Sequence, residues 1–172
     1  MISLNIKFFK AGLLLCLIFF LFGCDSDSDG SNNRLLTDAE PRPYLPEGFT
    51  PVALYKSDVD IDEETIGGIT YVTKEIYSYF LCEEKIIVAS YTTIYINKNT
   101  GALDDSKTEQ EPMLKGTYRL EGTTTLGYIY ATTTHMWENG RWEEIHGTES
   151  GVPISNGTIL VDDRKFTLYD IE

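Results

Sequence analysis

The sequence predicts an all-β domain: an antiparallel meander closed into an up-and-down barrel of about eight strands, with a β-sandwich as the alternative. Three observations carry this. From Phe49 onward the apolar residues recur with period two rather than 3.6. Tyr, Thr, Ile and Val dominate these runs, and Gly, Asn and Asp punctuate them. No segment carries a sustained helical stripe with caps. Hairpin order with short turns favours the barrel.

Residues 1–23 read as a cleaved export signal. Lys7 and Lys10 precede an apolar run from Ala11 to Phe22, and Leu21-Phe22-Gly23-Cys24 ends it with a small residue before a thiol. The run is about 12 residues long, against the ~20 that a spanning helix needs. This box resembles a bacterial lipoprotein signal. The resemblance implies diacylation of the Cys24 thiol, cleavage after Gly23 and acylation of the new amine. It places the chain in the bacterial cell envelope as a lipid-anchored outer-membrane protein, on the surface or the periplasmic face. Three acyl chains exceed the roughly two hydrophobic signals that stable attachment takes.

Residues 24–48 read as an acidic, flexible tether. Asp25-Ser26-Asp27-Ser28-Asp29-Gly30 is polar and small, and cannot bury apolar surface. Its acids match the first half of an EF-hand calcium loop, but Leu36 stands where the bidentate acid belongs. Asp directly after a lipidated cysteine resembles an inner-membrane retention signal in some envelopes, and an acidic run there resembles a surface-export signal in others; the length of this run favours the surface.

Residues 49–172 form a single β-domain. Strands are predicted near Thr50–Tyr55, Ile69–Cys82, Lys85–Ile96, Leu114–Glu121, Leu126–Met136, Arg141–Ile145, Thr158–Val161 and Lys165–Ile171. Glu83-Glu84, Asn97–Gly101 and Asp162-Asp163 supply turns. Asn139-Gly140 is the strongest hairpin signal, because a type I′ turn needs positive φ at both centres. Asp58–Glu64 reads as a solvated acidic loop, and Ala102–Pro112 as a long mobile one. The phrases Lys115–Gly122, Ser155–Val161 and Arg164–Leu168 resemble strand–turn–strand phrases of lipocalin-like bacterial lipoproteins. That resemblance implies a barrel able to bind a small ligand.

The chain has 14 basic and 27 acidic residues, a formal charge of −13, and loss of Lys7 and Lys10 with the signal takes it to −15. Such a surface repels phosphates, which argues against nucleic acid, and it favours cationic partners. Cys82 is the one thiol left beside Cys24. It has no partner for an intramolecular disulfide and is expected to be buried and inert.

The Asn139-Gly140 turn fixes a register. Glu138 faces Arg141, Trp137 faces Trp142, His135 faces Glu144, and Thr133 faces His146. Side-chain alternation then puts His135, Trp137, Trp142, Glu144 and His146 on one face. This set is either a packed hairpin stabiliser or an aromatic wall with polar handles for a ligand. A zinc site from His135, Glu144 and His146 has suitable ligand types but no motif spacing. No metal or cofactor is therefore expected. Tyr71, Tyr77 and Tyr79 share one parity, as do Tyr91 and Tyr95, which suits a core, a surface ladder or a binding face.

No nucleophile elbow, phosphate-binding glycine loop or His-Glu-x-x-His occurs. The expectation is a monomeric, non-enzymatic, membrane-anchored binding domain for a small apolar or aromatic ligand or a surface partner. The alternative is an envelope inhibitor of a cationic enzyme such as a muramidase.

Overall fold

The computed structural model describes residues 39–171, so the signal, Cys24 and the first part of the tether lie outside the described residues. Ten strands follow in chain order: β1 (Pro51–Ser57), β2 (Asp60–Ile66), β3 (Ile69–Cys82), β4 (Ile86–Asn97), β5 (Glu109–Gly122), β6 (Leu126–Glu138), β7 (Arg141–Glu144), β8 (Ser150–Ser155), β9 (Thr158–Val161) and β10 (Arg164–Tyr169).

Eight of them close an antiparallel barrel in the order β1-β10-β9-β8-β6-β5-β4-β3, with β3 returning to β1. The up-and-down barrel is therefore the fold. The other two strands are extensions. β2 pairs with the first half of β3 and β1 with its second half. Likewise β7 pairs with the end of β6 and β8 with its start. Both extensions rise from the same mouth of the barrel, where β1 ends and β10 begins.

Alternation of side chains explains the interior. Ala53, Tyr55, Leu81, Ile87, Tyr118, Ile129, Ile154, Ile159 and Phe166 are buried in one cluster. Each large side chain so buried contributes roughly 1.5–3 kcal/mol. Buried phenols need partners. The Tyr55 hydroxyl donates to the Thr124 carbonyl at 2.6 Å, and the Tyr118 hydroxyl to the Cys82 carbonyl at 3.3 Å. Tyr79 meets Phe166 edge to face at 4.9 Å. Aromatic and branched side chains thus occupy the space that a lipocalin-like ligand would need.

Several sequence expectations change. Asp58–Glu64 is not a loop: residues 60–66 form β2, paired residue for residue with β3. Its side chains are almost all exposed, so it lacks the apolar alternation that marks a half-buried strand. Ala102–Pro112 is a loop only to Thr108. A single helical turn at Asp105–Lys107 precedes β5, which starts at Glu109. β8 was not foreseen, because Gly151 and Pro153 both disfavour strands.

Residues 39–49 run as a strap along the outer face of β3 and β4. Leu45 and Phe49 pack on Leu54, Phe80, Cys82 and Val88, and Ala39 packs on Val72, Ile94 and Ile96. Polar side chains of the wall donate to strap carbonyls: Lys74 to Ala39 at 2.9 Å, Thr92 to Arg42 at 2.8 Å, and Ser90 to Tyr44. The strap begins beside the raised end of the wall and finishes near the opposite mouth. Cys82 is buried and free, and burial pushes its thiol up to about 11.

Candidate functional site

The tryptophan hairpin has the expected register: His135 opposite Glu144, Trp137 opposite Trp142, and Glu138 opposite Arg141. Asn139 and Gly140 both have positive φ, 52° and 77°. The two indoles meet edge to face, 5.1 Å between centroids. The ladder stops at Glu144. Gly147, not His146, donates to the Thr133 carbonyl, and His146 is exposed beyond the paired segment. The His135 Nδ1 lies 2.9 Å from the Thr134 hydroxyl. Among the described residues no group of three His, Cys, Asp or Glu side chains is placed to hold a metal ion.

A bulge decides which way this face points. Lys115 pairs with His135 but Gly116 pairs with Thr133, so Thr134 is an extra residue on β6. Ile129 and Ala131 point into the barrel, as do Tyr118 and Leu120 opposite. Past the bulge the parity changes. His135, Trp137 and Trp142 therefore lie on the outer face, where the Lys115 ammonium sits 4.9 Å from the Trp142 ring. The pair is half-buried on a projecting hairpin and does not line the barrel interior.

A second surface forms at the same mouth. β2, β3, β4 and the start of β5 make a four-stranded wall that rises past the barrel, and its inner face continues the barrel interior. Directly opposed residues share a face. Asp60 faces Glu75, Asp62 faces Thr73, Glu64 faces Tyr71, Tyr77 faces Tyr91, and Tyr91 faces Glu111. Asp60, Asp62, Glu64, Glu75, Glu109 and Glu111 thus share one sheet face with Tyr71, Tyr77, Tyr91 and Tyr95.

The tyrosines and acids are joined. Tyr91 donates to Glu111 at 3.3 Å, Tyr95 to Glu109 at 3.2 Å, and Tyr71 to Asp104 at 3.1 Å. Thr93 donates to Glu75 at 2.9 Å. Rings meet in pairs: Tyr71 with Tyr95 edge to face at 6.0 Å, Tyr77 with Tyr91 tilted at 6.2 Å. Burial, reinforced by Glu111 and Glu109, pushes the Tyr91 hydroxyl up to about 12. Burial and Glu109 do the same at Tyr95. Burial, a hydrogen bond to Glu75 and that residue's charge raise Tyr77, against the nearby Arg164. All these phenols therefore remain neutral donors at ordinary pH. Asp104 is held below the usual carboxylate range by the Ser106 hydroxyl, with Tyr71 adding to it.

Two cations stand on this face. The Arg164 guanidinium lies 4.1 Å from the Tyr77 ring centroid and 2.6 Å from Asp60 Oδ2. The Lys107 ammonium lies 5.6 Å from the Tyr71 ring. Among the described residues, Glu75, Glu109 and Glu111 have no basic side chain within ion-pair distance. The wall was legible in fragments, as the parity of the tyrosines and the alternation of Asp58, Asp60 and Asp62. Its assembly depended on β2 being a strand.

The chain matches no family model, no curated protein and no solved structure. Among the described residues no helix is long and apolar enough to cross a membrane.

Proposed function

We propose that this protein is a non-enzymatic docking domain, held to the envelope membrane through Cys24, that binds a cationic protein partner on the tyrosine and carboxylate wall. The observation that carries the reading is the set of carboxylates Glu75, Glu109 and Glu111, without a basic partner among the described residues, beside Tyr77 and Tyr91 on the wall that rises past the barrel. Uncompensated acids steer and orient a basic partner, and tyrosine adds contact area at low entropic cost. The filled interior favours this over capture of a small apolar molecule inside the barrel. A basic envelope enzyme such as a muramidase is one partner of the right charge.

The test uses the mature chain on a sensor surface and a basic muramidase in solution, at low and physiological salt. Binding should weaken with salt and fall roughly tenfold in a Glu109→Gln, Glu111→Gln double variant. Equal binding by wild type and variant would refute the docking site. For the anchor, a palmitate analogue fed to cells should label the wild type and not Cys24→Ala. Label on the alanine protein would overturn lipidation at that thiol.

A further inference from the structure

The wall already holds a guanidinium of its own. Arg164 opens β10, just past the Asp162-Asp163 turn, whose residues have φ of 49° and 63°. Its neighbours in the sheet are β9 and β1, not β2. Yet its side chain crosses to Asp60, 104 residues away in sequence, and lies over Tyr77. The seat has two parts, the face of Tyr77 and the carboxylate of Asp60, with Glu75 directly across the ladder from Asp60. A π-face combined with a carboxylate suits a planar guanidinium better than a compact ammonium. The Arg164 side chain is 36 % exposed, so solvent and partner can both reach it. An exposed ion pair of this kind is worth little and is readily exchanged.

Resting on the docking reading above, we propose that the partner enters this wall by an arginine side chain, and that Arg164 occupies the same seat in the free protein. Arg164 is then an internal competitor. A partner arginine takes the Tyr77 face and the Asp60 carboxylate, and Arg164 swings out to solvent. Lys107 over Tyr71, with Asp104 hydrogen-bonded to that tyrosine, shows the same chemistry a second time on the same face. Glu75 and Glu111, which no cation pairs among the described residues, give the arriving chain its surplus attraction.

The experiment measures binding of a blocked tri-arginine peptide, and of tri-lysine and tri-citrulline peptides, to the mature chain by calorimetry. Arg164→Gln vacates the seat and should tighten tri-arginine about three- to fivefold. Arg164→Lys should fall between wild type and Arg164→Gln, because an ammonium fills the seat less well than a guanidinium. Lys165→Gln removes the same charge from the outer face and should change affinity less than twofold. Tri-lysine should gain less than tri-arginine, and tri-citrulline should not bind. The Arg164 Nε–Hε resonance should shift when tri-arginine binds the wild type. Unchanged or weaker binding by Arg164→Gln that still melts cooperatively, or equal gains from Arg164→Gln and Lys165→Gln, would overturn the competitor role. Continued loss of muramidase binding in the Glu109, Glu111 double variant would then leave the docking reading standing. Absence of peptide binding to every variant would overturn the arginine seat, and absence of muramidase binding as well would remove both.

Discussion

Trp137 and Trp142 are cross-strand neighbours whose rings meet at 75°, on the outer side of a barrel whose inner side is already full. Their position sets the stability expected of each. Burial in the core would make Trp142→Ala cost about 3–5 kcal/mol. An edge-to-face pair on a half-buried hairpin should cost about 0.5–1.5 kcal/mol plus a modest burial contribution. Urea unfolding should place Trp142→Ala within about 2 kcal/mol of wild type. Near-ultraviolet circular dichroism should lose its coupled-indole signal in the variant. A loss of 3 kcal/mol or more would place the pair in the core instead.

Gly116 should be among the least replaceable residues of β5. A Cβ there would stand 2.1 Å from the Thr132 carbonyl oxygen, beside the bulge at Thr134. The three nearest atoms are all backbone of Thr132 and Thr133, which cannot swing aside as a flexible side chain would. Gly116→Ala should therefore cost at least about 2 kcal/mol. It should also disturb the indole signal, because the same bulge turns the tryptophan face outward. A variant as stable as wild type would show that the bulge relaxes freely.

Alkaline pH should unfold the domain through its tyrosines. Tyr79, Tyr91 and Tyr95 are raised from 10.0 to about 12, chiefly by burial. Each folded pKa lies above the unfolded one, so the folded state holds its proton more tightly. The resulting stability is fully present below pH 10 and is lost as pH rises towards 12. The urea midpoint should be flat through pH 9 and fall between pH 10 and 12, in step with phenolate absorbance at 295 nm. Tyrosines titrating together near pH 10 with no loss of stability would contradict their burial.

The strap should be worth more than a tether. A chain begun at Leu45 loses the carbonyls that accept from Lys74, Thr92 and Ser90. At about 0.5–1.5 kcal/mol per hydrogen bond, it should remain β-rich but melt below the chain begun at residue 24. A chain begun at Pro51 also strips Leu45 and Phe49 from Leu54, Phe80 and Val88, and should melt lower still. Identical melting temperatures for the three chains would show that the strap contributes nothing.

The parts of this fold that were legible in the sequence are those set by local chemistry. Asn139-Gly140 needs one turn type, and that turn dictates the register as far as Glu144. The long strands β3 and β4 are dense in Ile, Val, Tyr and Thr over a dozen positions between turn residues, so their limits stood out. β2 did not, because an edge strand of exposed acids is stabilised by the overhang of β3 and by no pattern of its own. The strap is held through its carbonyls, and a carbonyl leaves no mark on residue identity. The direction of the tryptophan face was hidden for another reason. Counting by twos holds only until a bulge, and Thr134 is one residue more than the count allows.

The strap's path also decides how the domain responds to being pulled. A load applied at residue 39 reaches the Lys74 contact first, then Thr92, then Ser90, in the order of the strap's contacts along the wall. Each hydrogen bond contributes only about 0.5–1.5 kcal/mol. Residues 39–49 span at most ~35 Å at about 3.5 Å per residue, and they leave the wall before β1 carries tension. β1 is laced on both edges, to β3 and to β10, and must be sheared from two ladders at once. The chain therefore enters its barrel through a weak, extensible link in series with a strong one, a shock absorber between whatever holds residue 39 and the eight strands behind it.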